Sequence, residues 1–334
     1  MKTLRHFLVG LLALVSPALT VPVCGQGADK APSREVRTLL YDWKDATREG
    51  RVVPVKIYLP QDAPGPLPVI LFSHGLGGSR EGYEYLGRHW AQNGYVSVHV
   101  QHPGSDEGVW KDVPPLQRMR AMKQAVKDPE NATNRPRDVS FVIDQLLLAN
   151  RQAGPLKEKI DSKKIGMAGH SFGAWTTMAL VGQVFTSLRG KDFSWPDSRI
   201  RAAIAMSTPP AKNNFQTAYG QIGRPLFHMT GTEDFSIVTD ATPSDKRVAF
   251  DHISCKPQYL LTFNGGDHMV FSGRGRGGFG GGTGEKDAEF QEWIKKSSLA
   301  FWEAYLQGDT SAKKWMEESF AAELGAVGTF EIKR

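Results

Sequence analysis

Eight short runs of apolar residues alternate along the chain with segments whose apolar residues recur every three to four positions. The runs indicate strands, and they cover Val36–Trp43, Val52–Leu59, Leu67–Phe72, Tyr95–Val100, Lys164–Ala168, Ala202–Met206, Pro225–Met229 and Tyr259–Phe263. The helical spacing covers Tyr83–Gln92, Arg137–Ala149, Ala174–Val184, Asp245–Phe250 and Lys286–Tyr305. This alternation predicts an α/β fold, with an eight-stranded, mostly parallel sheet and helices on both faces. An active site is expected at the carboxyl edge of the sheet.

The fifth predicted strand leads into a G-x-S-x-G pentapeptide, residues 169–173 (GHSFG), and an Ala/Leu-rich helical segment follows it. This order of strand, turn and helix is that of the nucleophile elbow of an α/β-hydrolase, with Ser171 as the nucleophile. The flanking glycines leave room for a serine on a strained turn to project toward a substrate. The pentapeptide alone is weak support, because a chain with 35 glycines often contains one by chance.

A glycine-rich turn, residues 73–78 (SHGLGG), follows the third predicted strand and precedes a helix. In an α/β-hydrolase such a turn supplies one backbone N–H of the oxyanion hole, and the residue after the nucleophile supplies the other. Leu76 and Phe172 are therefore the predicted donors. An ordinary tight turn between a strand and a helix is the alternative interpretation.

Two further strand ends carry the residue types that a serine nucleophile needs. Asp234 follows the seventh predicted strand, and His268 follows the eighth. The order Ser171, Asp234, His268 is the order of nucleophile, acid and base in α/β-hydrolases. A helix N-cap role for Asp234 and a surface-loop position for His268 are the alternatives, and Asp267 is the fallback acid.

Apolar residues close to these positions in the chain are candidates for contact with the substrate, namely Trp110, Trp175 and Met269. Three segments interrupt the alternation of strands and helices and can border the pocket: Gly104–Asn134, Thr186–Asp197 and the glycine-rich tract Gly273–Gly284. The chemistry that the candidate triad predicts needs no metal and no organic cofactor.

The first 20 residues have a basic start (Lys2 and Arg5), an apolar run over Phe7–Val15 and small residues after Pro17. This is the pattern of a secretory signal peptide, and the run is too short to span a membrane. We expect a signal peptide over about residues 1–25 and a single α/β-hydrolase domain over residues 32–334. The expected protein is secreted or periplasmic, without stable membrane insertion.

The two cysteines, Cys24 and Cys255, do not favour a disulfide, since Cys24 is lost if it leaves with the signal peptide. The formal net charge is +6, and it falls to +4 without Lys2 and Arg5. This mild excess contains no dense basic run, so we expect it on the solvated surface and expect no nucleic-acid partner. The sequence leaves the oligomeric state open.

Taken together, the motifs FSHGLGG (residues 72–78) and GHSFG (residues 169–173) resemble those of the plasma-type platelet-activating-factor acetylhydrolases and their bacterial, dienelactone-hydrolase-like relatives. The resemblance covers most of the chain after about Val52. It implies a carboxylic-ester hydrolase with Ser171 as nucleophile, His268 as base, and the amides of residues 76 and 172 as oxyanion donors.

One departure from this resemblance concerns the acid. The vertebrate enzymes carry it after the sixth strand, whereas here the segment Met206–Pro209 contains no carboxylate. The acid is therefore expected after the seventh strand, at Asp234, as in dienelactone hydrolases and bacterial polyester hydrolases.

The predicted function is serine carboxylic-ester hydrolysis through an acyl-enzyme, on small, lipid-like or polymeric esters. A serine peptidase or amidase and a dienelactone-type hydrolase are the alternatives, because a triad does not choose the leaving group. Dienelactone hydrolases usually employ cysteine where this chain has Ser171. A non-catalytic binding protein on the same fold is disfavoured, since no triad position is missing.

Overall fold

The computed structural model describes residues 34–187, 189–211, 214–236, 238–273 and 286–334. One compact unit spans Ser33–Arg334. The expected signal peptide and the glycine-rich tract after Gly273 lie outside the described residues. Within the described ranges, no helix combines the length and the apolar character that crossing a membrane requires.

Within the described ranges, a main sheet of nine strands forms the centre of the fold, in the order β1-β2-β4-β3-β5-β8-β9-β10-β11. The strands of the chain are β1 Val36–Asp45, β2 Arg51–Pro60, β3 Leu67–Ser73, β4 Val96–Val100, β5 Ile160–His170, β6 Phe185–Thr186, β7 Asp192–Phe193, β8 Ile200–Met206, β9 Leu226–Glu233, β10 Gln258–Asp267 and β11 Gly328–Lys333. β1 and β2 pair antiparallel, and so do β2 with β4 and β10 with β11. The neighbours from β4 through β3, β5, β8 and β9 to β10 all pair parallel. The carboxyl ends of these strands therefore meet at one edge.

The helices fill the connections between the strands. They are α1 Glu84–Gln92, α2 Pro115–Lys127, α3 Pro129–Ala149, α4 Phe172–Leu180, α5 Phe215–Tyr219, α6 Val248–His252, α7 Asp287–Trp302, α8 Thr310–Glu318 and α9 Phe320–Leu324. Short 3₁₀ turns cover Ala46–Arg48, Glu107–Val109, Pro243–Arg247, Val270–Ser272 and Gly325–Val327, and a π-helical turn covers Glu303–Gln307.

Both faces of the sheet are covered, which explains why β3 is continuously apolar from Leu67 to Phe72. Along β3, Val69 and Leu71 pack into one apolar cluster with residues of α3 and α4. Ile70 and Phe72 point to the opposite face and pack with residues of α1 and α7. Because successive side chains of a strand alternate between faces, a strand buried on both sides is apolar throughout. The predicted α/β architecture is confirmed.

The predicted strand number is wrong by one, since the described sheet has nine strands where eight were expected. The additional strand, β11, pairs antiparallel with β10 at the edge of the sheet. Its sequence, Gly328–Lys333, alternates polar and apolar residues and is mostly half-buried, so it lacks the continuous apolar run that marks the central strands.

The elbow turn fits closely against the end of β3. A Cβ atom added at Gly173 would overlap the carbonyl oxygen of Ser73. We therefore expect Gly173→Ala to lower the free energy of unfolding by about 3 kcal/mol, since the helix must move away from the strand. Urea unfolding of the purified protein measures this loss.

Gly223→Ala is the matched control, because a Cβ there meets no atom within 4 Å and the backbone needs no left-handed conformation. It should change the free energy of unfolding by less than about 0.5 kcal/mol. Equal stability of the two variants would contradict the close fit between the elbow and β3.

Candidate active site

Ser171 lies at the sharp turn between β5 and α4. Its backbone has φ 56° and ψ −115°, a conformation that residues with a side chain rarely adopt. The Ser171 N–H donates to the carbonyl oxygen of Met206 on β8, at 2.9 Å, and this bond fixes the turn to the neighbouring strand. A Cβ at Gly169 would overlap the backbone of Gly173, so the turn needs both glycines. The structure thus has the strained turn that the motif predicts.

A chain of hydrogen bonds runs from Ser171 through His268 to Asp234. The Nε2 atom of His268 lies 3.0 Å from the Oγ atom of Ser171, and its Nδ1 atom lies 2.7 Å from the Oδ1 atom of Asp234. The Asp234 side chain is fully buried, whereas the His268 side chain is 14 % exposed and Ser171 is half-buried. These residues follow β5, β9 and β10, so the shared strand edge brings them together. Their geometry is that of a nucleophile, a base and an orienting acid.

The surroundings of Asp234 keep its carboxylate charged. Its Oδ1 atom accepts a hydrogen bond from Ser207 and its Oδ2 atom accepts one from Thr230, both at 2.9 Å. The buried Nζ atom of Lys246 lies 4.0 Å from Oδ1. Burial alone raises the pKa of this carboxyl, but the hydrogen bond from His268 and the charge of Lys246 outweigh it and hold the pKa at about 2.

Ser207 is a site residue that the sequence reasoning missed. It follows β8, has φ 56°, and its Oγ atom lies 2.9 Å from both Asp234 Oδ1 and His268 Nδ1. The available signal was its position, since it is a polar residue directly after an apolar parallel strand. This serine occupies the strand end at which the sequence lacks a carboxylate.

His170 directly precedes Ser171 in the elbow, and the structure places its ring against the candidate base. The ring centroids of His170 and His268 are 4.8 Å apart. Its Nδ1 atom lies 2.8 Å from the hydroxyl of Tyr83. Burial lowers the pKa of His170 well below its usual range, and His268 adds to this effect. His170 is therefore a neutral wall of the site.

The two predicted oxyanion donors lie on segments that pack against each other. The Leu76 and Phe172 amides donate to no acceptor within the described residues. The loop that contains Leu76 is fixed to the segment after β4, since the Gly77 N–H donates to the Ser105 carbonyl oxygen at 2.9 Å. Two amides without an internal acceptor, beside a serine on a strained turn, suit the binding of an oxyanion.

The predicted substrate residues occupy different places. Trp110 donates from Nε1 to the carbonyl oxygen of Gly77 at 2.7 Å, so it packs on the glycine-rich loop. Trp175 lies one helical turn after Ser171, and its N–H donates to the Ser171 carbonyl oxygen at 3.0 Å. The N–H of Met269 donates to Asp267 at 2.8 Å. Contact of these three residues with a substrate stays a prediction.

An open cavity of about 610 Å³ lies away from these residues. The turn after β1, the middle of α3 and Trp195 line it, and it contains no triad residue. Within the part of the chain that the structure describes, no group of His, Cys, Asp or Glu side chains is arranged to hold a metal.

A second Ser-His-Asp constellation is buried below the glycine-rich loop. The Oγ atom of Ser73 lies 2.8 Å from His102 Nε2, and His102 Nδ1 lies 3.1 Å from Asp138 Oδ2. All three residues have no exposed surface. Arg135 donates to the Ser73 hydroxyl at 3.0 Å, and Arg51 donates to both oxygens of Asp138. A substrate carbonyl cannot reach Ser73, so this constellation is structural.

The comparison with known proteins agrees with the motifs. The family profile of platelet-activating factor acetylhydrolase, isoform II, matches residues 49–109. Platelet-activating factor acetylhydrolase of Cavia porcellus is 25% identical over 293 residues, which cover 79% of this chain and 63% of that protein. The enzyme of the same name from Canis lupus familiaris is 24% identical over 231 residues, 61% of this chain and 48% of that protein.

The matched part therefore spans less than two thirds of the length of these curated relatives. The resemblance to the platelet-activating factor acetylhydrolases that the motifs predict is confirmed.

The assignment of the acid can be tested with three carboxylates. Asp234→Asn should lower kcat by a factor of about 10³ to 10⁴ with little change in KM, because an amide there stabilises the wrong histidine tautomer. Steady-state hydrolysis of p-nitrophenyl acetate measures the effect.

Glu233→Gln and Asp267→Asn are the controls, since Glu233 is exposed and Asp267 binds the Met269 N–H. Each should cost less than about tenfold in kcat. A larger loss in either control than in Asp234→Asn would move the acid to that residue.

Proposed function

We propose that this protein is a serine carboxylic-ester hydrolase that works through an acyl-enzyme. The observation that carries the proposal is the hydrogen-bond chain from half-buried Ser171 through His268 to buried Asp234, with distances of 3.0 and 2.7 Å. A partly exposed serine on a strained turn, beside a histidine whose other nitrogen meets a carboxylate, is the geometry of an activated nucleophile.

The acylation step begins when the Oγ atom of Ser171 attacks the ester carbonyl carbon. His268 takes the serine proton at Nε2 and returns it to the leaving alcohol. Asp234 stays ionised, because its pKa is about 2, and it holds the histidine with the Nδ1 proton toward itself. In the second step His268 takes a proton from water as the water oxygen attacks the acyl carbon, and it then gives that proton to the Oγ atom of Ser171 as the bond to the acyl group breaks and the carboxylic acid leaves.

The amides of Leu76 and Phe172 donate hydrogen bonds to the carbonyl oxygen and stabilise the negative charge that develops on it. A preorganised donor of this kind contributes about 3 to 4 kcal/mol to transition-state stabilisation. Burial of the Phe172 side chain and the fixed loop around Leu76 support preorganisation, since neither segment needs to refold around the oxyanion.

An ester is favoured over an amide because the relatives are named acetylhydrolases. The triad geometry alone serves a peptidase or amidase equally well, and a dienelactone-type hydrolase remains a further alternative on the same fold. Activity on p-nitrophenyl acetate without cleavage of the matching p-nitroanilide would separate these classes.

The two Ser-His-Asp constellations give this proposal a sharp test. Ser171→Ala should reduce hydrolysis of p-nitrophenyl acetate by at least about 10⁴-fold while leaving the melting temperature near that of the wild type. The matched variant is Ser73→Ala, which removes the same hydroxyl from the buried constellation.

Ser73→Ala should retain turnover within about a factor of 30, even where it lowers stability, because Ser73 does not contact the substrate. Labelling with a fluorophosphonate and peptide mapping should place the adduct on Ser171. An adduct on Ser73, or full activity of Ser171→Ala, would contradict the mechanism.

A cluster of aromatic side chains supports a preference for esters with an extended apolar acyl group. Trp175 is the half-buried residue of α4, whereas every other residue of that helix is buried. Its ring centroid lies 4.5 Å from Phe185 and 6.0 Å from Trp195, and Trp195 lies 5.0 Å from Phe193. We call these four residues the aromatic cluster; it leads from the turn after Ser171 to Phe193, which is 38% exposed.

We propose that the aromatic cluster binds the apolar part of the substrate. Phe193→Ala and Trp195→Ala should each reduce kcat/KM for p-nitrophenyl octanoate by about tenfold, which corresponds to about 1.4 kcal/mol. For p-nitrophenyl acetate they should stay within about twofold, because its acyl group is too short to reach the cluster.

Leu148→Ala is the control for this experiment, because Leu148 is a 47% exposed apolar residue on α3 outside the cluster. It should leave both rates unchanged. Equal losses for the octanoate and acetate esters in the cluster variants would assign the cluster to folding instead of specificity.

A further inference from the structure

Arg135 is a fully buried cation on α3, and the active-site chemistry described above does not use it. Each of its three nitrogens has a partner. Nε donates to the Thr176 hydroxyl at 2.9 Å, Nη1 donates to the Ser105 hydroxyl at 2.8 Å, and Nη2 donates to the Ser73 hydroxyl at 3.0 Å. Nη2 also donates to the carbonyl oxygen of His74.

These partners come from the three segments that meet at the candidate oxyanion hole. Ser73 and His74 end β3 and begin the loop that contains Leu76. Thr176 lies on α4, one turn after Phe172, and its hydroxyl donates to the Phe172 carbonyl oxygen at 2.9 Å. A single planar guanidinium thus joins the segments of both predicted oxyanion donors.

The third segment fixes the loop from the other side. Ser105 follows β4, and its carbonyl oxygen accepts the Gly77 N–H at 2.9 Å. Its hydroxyl is the acceptor for Arg135 Nη1, so the guanidinium and the loop share this one residue. The guanidinium also lies 4.5 Å from the centroid of the Phe172 ring, within the range of a cation–π contact.

We propose that Arg135 is the positioning residue of the oxyanion hole, which sets the distance between the Leu76 and Phe172 amides. This inference rests on the proposed function. It goes further in naming the residue on which the placement of both donors depends. Loss of a fixed donor geometry costs rate and not ground-state binding, because the oxyanion forms only in the transition state.

The buried Ser73-His102-Asp138 constellation takes part in the same arrangement. The Ser73 hydroxyl lies between the guanidinium of Arg135 and the His102 ring, and the Asp138 carboxylate supplies a negative charge in the same buried region. Arg48 binds the Oδ1 atom of that carboxylate, and Arg51 binds both of its oxygens. The network therefore holds the orientation of Ser73, which in turn is an acceptor for Arg135.

The test compares Arg135→Met and Arg135→Lys with the wild type and with Arg137→Met, which changes an exposed arginine two residues later on the same helix. The substrate is p-nitrophenyl acetate, and the inhibitor is phenylboronic acid, which forms a tetrahedral anion with a serine nucleophile. For both Arg135 variants we expect kcat to fall by about 10²-fold with KM within about twofold, because a misplacement of about 1 Å costs this much.

The inhibition constant of phenylboronic acid should rise in parallel with the loss of kcat, whereas Arg137→Met should change neither value. Ser105→Ala is the second variant, since it removes one acceptor of Arg135 and keeps the backbone carbonyl that binds Gly77. We expect it to lower kcat by about tenfold.

The proposal is overturned if a folded Arg135 variant keeps kcat and boronate affinity within threefold of the wild type, or if only KM changes. Where the Arg135 variants do not fold, an unchanged kcat in Ser105→Ala overturns it. Full activity of Ser171→Ala is a different outcome, since it would remove the proposed function itself.

Discussion

The parallel pairing of the strands from β4 to β10 is the constraint on which every functional side chain depends. Parallel neighbours end at the same edge, so residues separated by up to 97 positions in the chain, such as Ser171 and His268, meet within hydrogen-bonding distance. Pairing of this kind needs helical crossovers, and those helices bury both faces of the sheet. The polar side chains of the candidate site therefore lie in the loops at one edge of the sheet, directly after the parallel strands.

Burial separates two sets of side chains that are alike in composition. Ser171, His268 and Asp234 have a similar internal geometry to Ser73, His102 and Asp138, but only Asp234 is fully buried in the first set, whereas all three residues of the second set are. The two serines differ in backbone conformation and in exposure to solvent. Ser171 lies on a strained turn and is half-buried, whereas Ser73 ends a regular strand, is fully buried and accepts a hydrogen bond from Arg135. A search for Ser-His-Asp distances alone would not tell a nucleophile from a structural hydroxyl.

The sequence predicted the strands that are apolar on both faces, because a buried strand between turns leaves a clear pattern, and it predicted the candidate triad from motif order along the chain. It could not predict β11, whose alternating residues lie at the sheet edge, or the short helices α8 and α9. Ser207, Lys246 and Arg135 were also missed. Their roles depend on contacts between residues far apart in the chain, which composition and spacing do not encode.

The position of Ser207 has a consequence for how such sites diverge. Its hydroxyl and the Asp234 carboxylate both lie within 2.9 Å of the same histidine nitrogen, although they belong to neighbouring strands. A carboxylate introduced at position 207 would begin beside that nitrogen, with the buried ammonium of Lys246 near enough to offset part of the added charge. The two strand ends thus offer the acid geometrically equivalent places beside one histidine nitrogen, and a form that carries both carboxylates is a direct route for moving the acid from one strand to the next.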